Sequence, residues 1–92
     1  MSATPEYHQQ DKARDPTQVR TIWILGLLRK RPHTGDEIRR LSESNGLGYR
    51  PATYVKDMTG LVARNLVYRD TQGGVYKIHE VYGSQYCLAH GI

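Results

Sequence analysis

The sequence predicts a small α+β domain, mainly helical, in which three helices are followed by a two-stranded β-hairpin. Three observations predict it. Helix-start signals stand at Asp15-Pro16, at Thr34-Gly35-Asp36-Glu37 and at Pro51; apolar residues recur at helical spacing after each; and two β-rich runs beyond Asn65 enclose Thr71-Gln72-Gly73-Gly74. At 92 residues the chain has room for one hydrophobic core. Residues 16–79 are read as that domain and 1–15 as a flexible arm with no apolar period. Residues 80–92 form a C-terminal segment, ambiguous between strand, short helix and tail, that is available for a subunit contact.

The first helix is expected over about 16–31. Asp15 offers an oxygen to an orphan N–H, Pro16 suits the first helical position, and Gln18 is placed to complete a capping box. Its apolar residues, among them Val19, Ile22, Trp23, Leu27 and Leu28, cover more than one face, which predicts apolar surface left over for a partner subunit. Pro32 stops this helix, and Thr34 to Glu37 reads as a second capping box opening a short helix over about 35–44 with Ile38 and Leu41 inward. Asn45-Gly46-Leu47-Gly48 turns the chain. Pro51 starts the third helix, whose core stripe is assigned to Tyr54, Val55, Met58, Leu61 and Val62. Asn65 suits the left-handed position that ends a helix, after which Leu66 to Asp70 and Val75 to His79 pair as a hairpin with a glycine tip.

Composition narrows the function. Apolar residues make up 38% and charged residues 24% of the chain, with a mean hydropathy of -0.65, the balance of a soluble globular domain. The longest apolar run, Ile22 to Leu28, is far shorter than the roughly 20 residues a bilayer span needs, so a cytoplasmic protein without membrane association is expected. The net charge of +4 is unevenly spread: residues 16–79 hold eleven Lys and Arg against five Asp and Glu, while both ends are slightly acidic. A cationic foldable domain of pI near 9.4 suggests a polyanionic partner.

Helix, helix, turn, helix and hairpin in that order, on a cationic domain, is the winged helix-turn-helix arrangement. Ile24-Leu25-Gly26-Leu27-Leu28, Thr34-Gly35-Asp36-Glu37-Ile38, Pro51-Ala52-Thr53-Tyr54, Leu61, Leu66-Val67 and Val75-Tyr76-Lys77-Ile78 resemble the PadR-like regulators in order and spacing over roughly residues 19–79. The resemblance implies a winged helix-turn-helix fold and DNA binding. The chain departs from that pattern at Asn65, where those regulators usually carry glycine, and in the 13 residues after His79, where they carry a long dimerisation helix.

The candidate DNA-contacting residues follow from the third helix and the hairpin. The face opposite the core stripe is assigned Ala52, Thr53, Lys56, Asp57, Gly60 and Arg64, preceded by Tyr49 and Arg50. Such a face is small and polar enough for a major groove. Arg50 and Lys56 offer donors to guanine edges or phosphates, Thr53 can touch a thymine methyl, and Ala52 and Gly60 remove bulk. In the hairpin, Arg69 and Lys77 flank Gln72 and Gly73 and are expected to meet phosphates or a minor groove. Thr34 and Gly35 present N–H groups at a helix start that suit a phosphate, although capping alone explains Thr34 as well.

A single recognition helix makes few base contacts, so a homodimer reading half-sites about 34 to 36 Å apart is expected, with Val19, Trp23, Leu27, Tyr82, Tyr86 and Leu88 at the interface. Trp23 amid Ile and Leu reads as core or interface rather than as the wall of a small-molecule effector pocket. Cys87 and His90 have a C-x-x-H spacing but lack the further ligands of a structural zinc, so no metal or cofactor is expected. No nucleophile elbow, phosphate-cradling Gly-Lys-Ser/Thr loop or His-Glu-x-x-His occurs, and catalysis is not expected. The tyrosines at 49, 54, 68 and 76 also permit single-strand stacking, but duplex DNA is the stronger reading. The function expected is therefore a dimeric, site-specific transcriptional repressor. The alternatives are a plasmid-partition or replication-site protein whose dimers spread along DNA and, more distantly, a protein-interaction domain.

Overall fold

In a computed structural model of the protein, residues 15–47 and 50–92 are described. They form α1 (Pro16–Lys30), β1 (His33–Thr34), α2 (Gly35–Ser44), α3 (Pro51–Ala63), β2 (Val67–Asp70), β3 (Val75–Ile78) and α4 (Tyr82–Ala89). The result is a mostly helical α+β fold with a three-stranded antiparallel sheet of order β1-β3-β2. No described helix is long and apolar enough to cross a membrane.

Local chemistry sets most boundaries. Asp15 Oδ1 accepts from the Thr17 N–H at 3.0 Å and Pro16 occupies the first turn of α1. Gln18 completes no capping box, since its Oε1 accepts instead from the Tyr86 hydroxyl at 3.0 Å. The Thr34 box is fully formed: Thr34 Oγ1 accepts from the Glu37 N–H at 3.1 Å, and Glu37 Oε1 accepts from the Thr34 N–H at 3.0 Å. At the other end α2 closes with Gly46 at φ +72°, its N–H donating to the Glu43 carbonyl and that of Leu47 to the Ser42 carbonyl. The same paired closure recurs after α3, where Asn65 takes φ +59° and Leu66 donates to the Leu61 carbonyl.

Glu37 also receives the Arg31 guanidinium at 2.9 Å. That hydrogen bond, reinforced by the Thr34 N–H, holds the carboxyl down at about 2 from its ordinary 4.5. A carboxyl lowered on folding contributes stability that is full above the ordinary value and is lost as pH falls towards the folded one. Thermal unfolding is therefore expected to show a decline between pH 4.5 and about 2 that is shallower in Glu37→Gln.

The core is built where α1 crosses the other elements. Ile24, Leu25, Ile38 and Leu61 are fully buried, with Tyr54 and Met58 of α3, Leu66 and Val67 at the hairpin base and Cys87 of α4 packed around them. Two members of the expected stripe are outside it: Val55 is 60% exposed and Val62 40% exposed. The inner face of α3 is instead Tyr54, Asp57, Met58 and Leu61. The helix is thus rolled about its axis relative to an apolar-only reading, because the carboxylate of Asp57 is accommodated inside by Arg20 of α1 at 2.5 Å.

One strand has no counterpart in the expected set, and a helix occupies the segment left open between strand, short helix and tail. The two-residue β1 pairs with the outer edge of β3, His33 opposite Tyr76 and Thr34 opposite Val75. Residues 82–89 are helical, as α4, and pack on α1. His79 caps that helix through its side chain: Nδ1 accepts from the N–H groups of Val81 and Tyr82 at 3.2 and 3.3 Å, while its own N–H donates to the Leu66 carbonyl.

Candidate nucleic-acid interface

The surface around α3 has three zones that follow from its roll. Ala52, Lys56, Thr59 and Ala63 share its outward side and are exposed. The flank turned to α1 is mixed: an open cleft of about 450 Å³ there carries Arg20, Lys56 and Arg64 beside Asp57, Gly60 and Leu61. The flank turned to the hairpin is apolar, a groove of about 320 Å³ walled by Val55, Val62, Met58 and Tyr76 with Thr59 and Arg69 at its edge.

Several expected contact residues lie on or beside this surface. Arg50 stands exposed ahead of α3, and Ala52 and Lys56 are exposed on the helix. Thr53 and Gly60 are half-buried on the α1 flank. A Cβ at Gly60 would meet no atom within 4 Å, so the glycine is not required by packing. Gly60→Ala is expected to raise stability by about 0.5–1 kcal/mol through helix propensity, measured by denaturant unfolding. Arg64 is exposed but turned towards α4, its guanidinium carbon 5.4 Å from the Tyr86 ring centroid. Tyr49 lies outside the described residues.

Asp57 is a correction. Its side chain is only 4% exposed and both carboxylate oxygens accept from Arg20, at 2.5 and 3.3 Å, so it braces α3 against α1 deep in the cleft on that flank rather than standing on the outward side of the helix. Thr34 is a correction of the same kind. The Thr34 hydroxyl and N–H are both consumed by Glu37 in the capping box. Gly35 faces the Tyr54 hydroxyl, which a Cβ there would approach to 3.0 Å. Burial of Tyr54 pushes its phenol up to about 12, so the hydroxyl stays protonated.

The hairpin separates residues expected to act together. Val67, Arg69, Tyr76 and Ile78 share one sheet face, and Tyr68, Asp70 and Lys77 the other, by the register Arg69 opposite Tyr76 and Tyr68 opposite Lys77. Arg69 therefore faces α3. Lys77 faces away, its Nζ 2.9 Å from Asp70 Oδ2, an ion pair that lowers the Asp70 carboxyl and raises the Lys77 ammonium. Gln72 and Gly73 are exposed at the tip, where Asp70 Oδ1 also accepts from the Gln72 N–H at 3.0 Å.

The residues expected at a subunit interface divide as well. Val19, Tyr82 and Leu88 are exposed, Leu88 to 82%. Trp23 and Leu27 are half-buried against the core and border a shallow depression of about 250 Å³ with Ile22, Gly26 and Lys30. Tyr86 is half-buried, bonded to Gln18 and stacked on His90 at 4.1 Å, a brace between α4 and α1 within the chain. Cys87 is a buried free thiol whose ionisation burial pushes up. Among the described residues, no three of His, Cys, Asp and Glu converge as metal ligands.

Sequence reasoning missed Val55, Thr59 and Val62 as surface residues of α3. The available signal was Asp57, the one acid of that helix, and a cation on the first helix able to pair with it. Comparison with protein-family models, curated proteins and solved structures returns no match to this chain.

Proposed function

We propose that the protein is a winged helix-turn-helix protein that binds double-stranded DNA sequence-specifically, with α3 in the major groove and the hairpin as the wing. In this reading it is a dimeric transcriptional repressor associated with the nucleoid or a plasmid. The observation that carries the reading is electrostatic. The carboxylates within salt-bridge distance of described cations lie at Asp57, Glu37, Asp36 and Asp70, none of them on the outward side of α3, and their partners are Arg20, Arg31, Arg39 and Lys77. Among the described residues this leaves Arg50, Lys56, Arg64 and Arg69 around α3 for an external anion. The element order and the pairing of the short β1 strand with β3 also suit a winged helix, as does the similarity to PadR-like regulators noted above.

The test is fluorescence-anisotropy titration with random-sequence duplex DNA at two salt concentrations. Binding that weakens steeply with salt is expected, because each neutralised phosphate releases condensed counterions. Lys56→Ala and Arg69→Ala are each expected to weaken binding and to reduce the magnitude of the log–log salt slope by about 1, whereas Lys77→Ala leaves both nearly unchanged. Absence of binding at low salt sinks the reading. Footprinting then distinguishes a bounded repressor site from protection that spreads along the duplex, the mark of a partition protein.

A further inference from the structure

The apolar flank of α3 is unexpected for a surface that reads only phosphates. Val55 and Val62 stand exposed beside Thr59, on a helix whose neighbouring cations, Lys56 on its outward side and Arg69 across the groove, have no described carboxylate at salt-bridge distance. An apolar strip enclosed by unneutralised cations matches one kind of partner well. The floor of a duplex major groove is bordered by phosphates and carries the thymine C5-methyl as its one apolar group. A greasy peptide would match the valines but not the charges, and a plain polyanion the reverse.

We propose that Val55, with Thr59 and Val62 beside it, selects thymine-bearing sites by packing against C5-methyl groups, while Lys56 and Arg69 hold the flanking phosphates. The proposal rests on the DNA-binding reading above and adds to it the chemical feature that is recognised. Ala52 and Thr53, assigned to that role by sequence pattern, differ in position: Ala52 lies on the outward side and Thr53 is turned to the α1 flank. Recognition is thereby moved to the hairpin side of the helix. The helix approaches the groove with Val55 leading and the wing following on the same side.

The experiment uses the full chain and a duplex selected from a random library. Thymines in the protected site are replaced by deoxyuridine, which removes the methyl and leaves every hydrogen-bonding group in place. Affinity is expected to fall about fourfold for each contacted methyl, the effect of one buried methylene equivalent, with an unchanged salt slope. In Val55→Ala the difference between thymine and uracil duplexes narrows. Val55 is 60% exposed, so its truncation opens no core cavity, and Val62→Ala provides a second variant. Equal affinity for the two duplexes with salt-dependent binding retained overturns the methyl assignment and leaves DNA binding standing. A thymine preference unaltered in both valine variants overturns it too. Failure to bind any duplex at low salt removes the underlying reading and this one together.

Discussion

Asp57→Ala is expected to cost about 3 kcal/mol of folding stability, because it leaves the Arg20 guanidinium facing the space its counter-ion filled. The side chain of Asp57 is 4% exposed and that of Arg20 21%, so the cation regains some water and the loss falls at the low end for a broken buried pair. Urea unfolding followed by circular dichroism measures it. Asp57→Asn keeps the shape and one accepting oxygen and is expected to lose less. Neither change is expected to reduce the DNA affinity of the folded fraction, since removing an anion beside a cationic surface raises the local potential. A variant of wild-type stability that binds DNA poorly would reverse the assignment and return Asp57 to the interface.

Gly83→Ala is the second large effect. A Cβ at this buried position would lie 2.2 Å from the Leu66 carbonyl oxygen and 2.7 Å from Ile78 Cγ2, so α4 cannot stay where it is. Leu66 O already accepts from the His79 N–H, which anchors the start of the same helix, and the backbone there has little freedom to retreat. Overpacking of this kind costs about 3 kcal/mol, at the upper end of the usual range because the obstacle is main chain rather than a side chain that can rotate. Thermal unfolding compared with Ser84→Ala, an exposed neighbour on the same helix, isolates the steric part from helix propensity. Equal stability of the two variants would mean that α4 is not seated against the hairpin base.

What the sequence made legible was whatever is decided within a few residues. Asp15-Pro16, the Thr34–Glu37 box, Pro51 and the left-handed Asn65 each act locally, and helix boundaries at these points agree with expectation to within a residue. Long-range pairing was not legible. β1 is two residues long and exists only because β3 offers it an edge. α4 has no Ser, Thr, Asp or Asn at its N-cap; its cap is the His79 imidazole, and its seat depends on Gly83 meeting Leu66. The roll of α3 depends on Arg20, which is 37 positions away, and this alone exchanges Asp57 for Val55 and Val62 at the surface. Periodicity places apolar residues inward by default, and a buried ion pair is the circumstance in which that default misplaces a helix face.

Thr34 serves two elements at once, as the last residue of β1 and as the cap of α2. The hairpin is consequently tied near its tip to the start of a helix, where β1 lies against Val75 and Tyr76, and the Asp70–Lys77 ion pair clips its two strands at the same end. A ligand that engages both α3 and the hairpin meets them at a spacing already fixed, so association loses little chain entropy and its calorimetric signature is that of rigid docking, with a modest heat-capacity change set by the contact area alone.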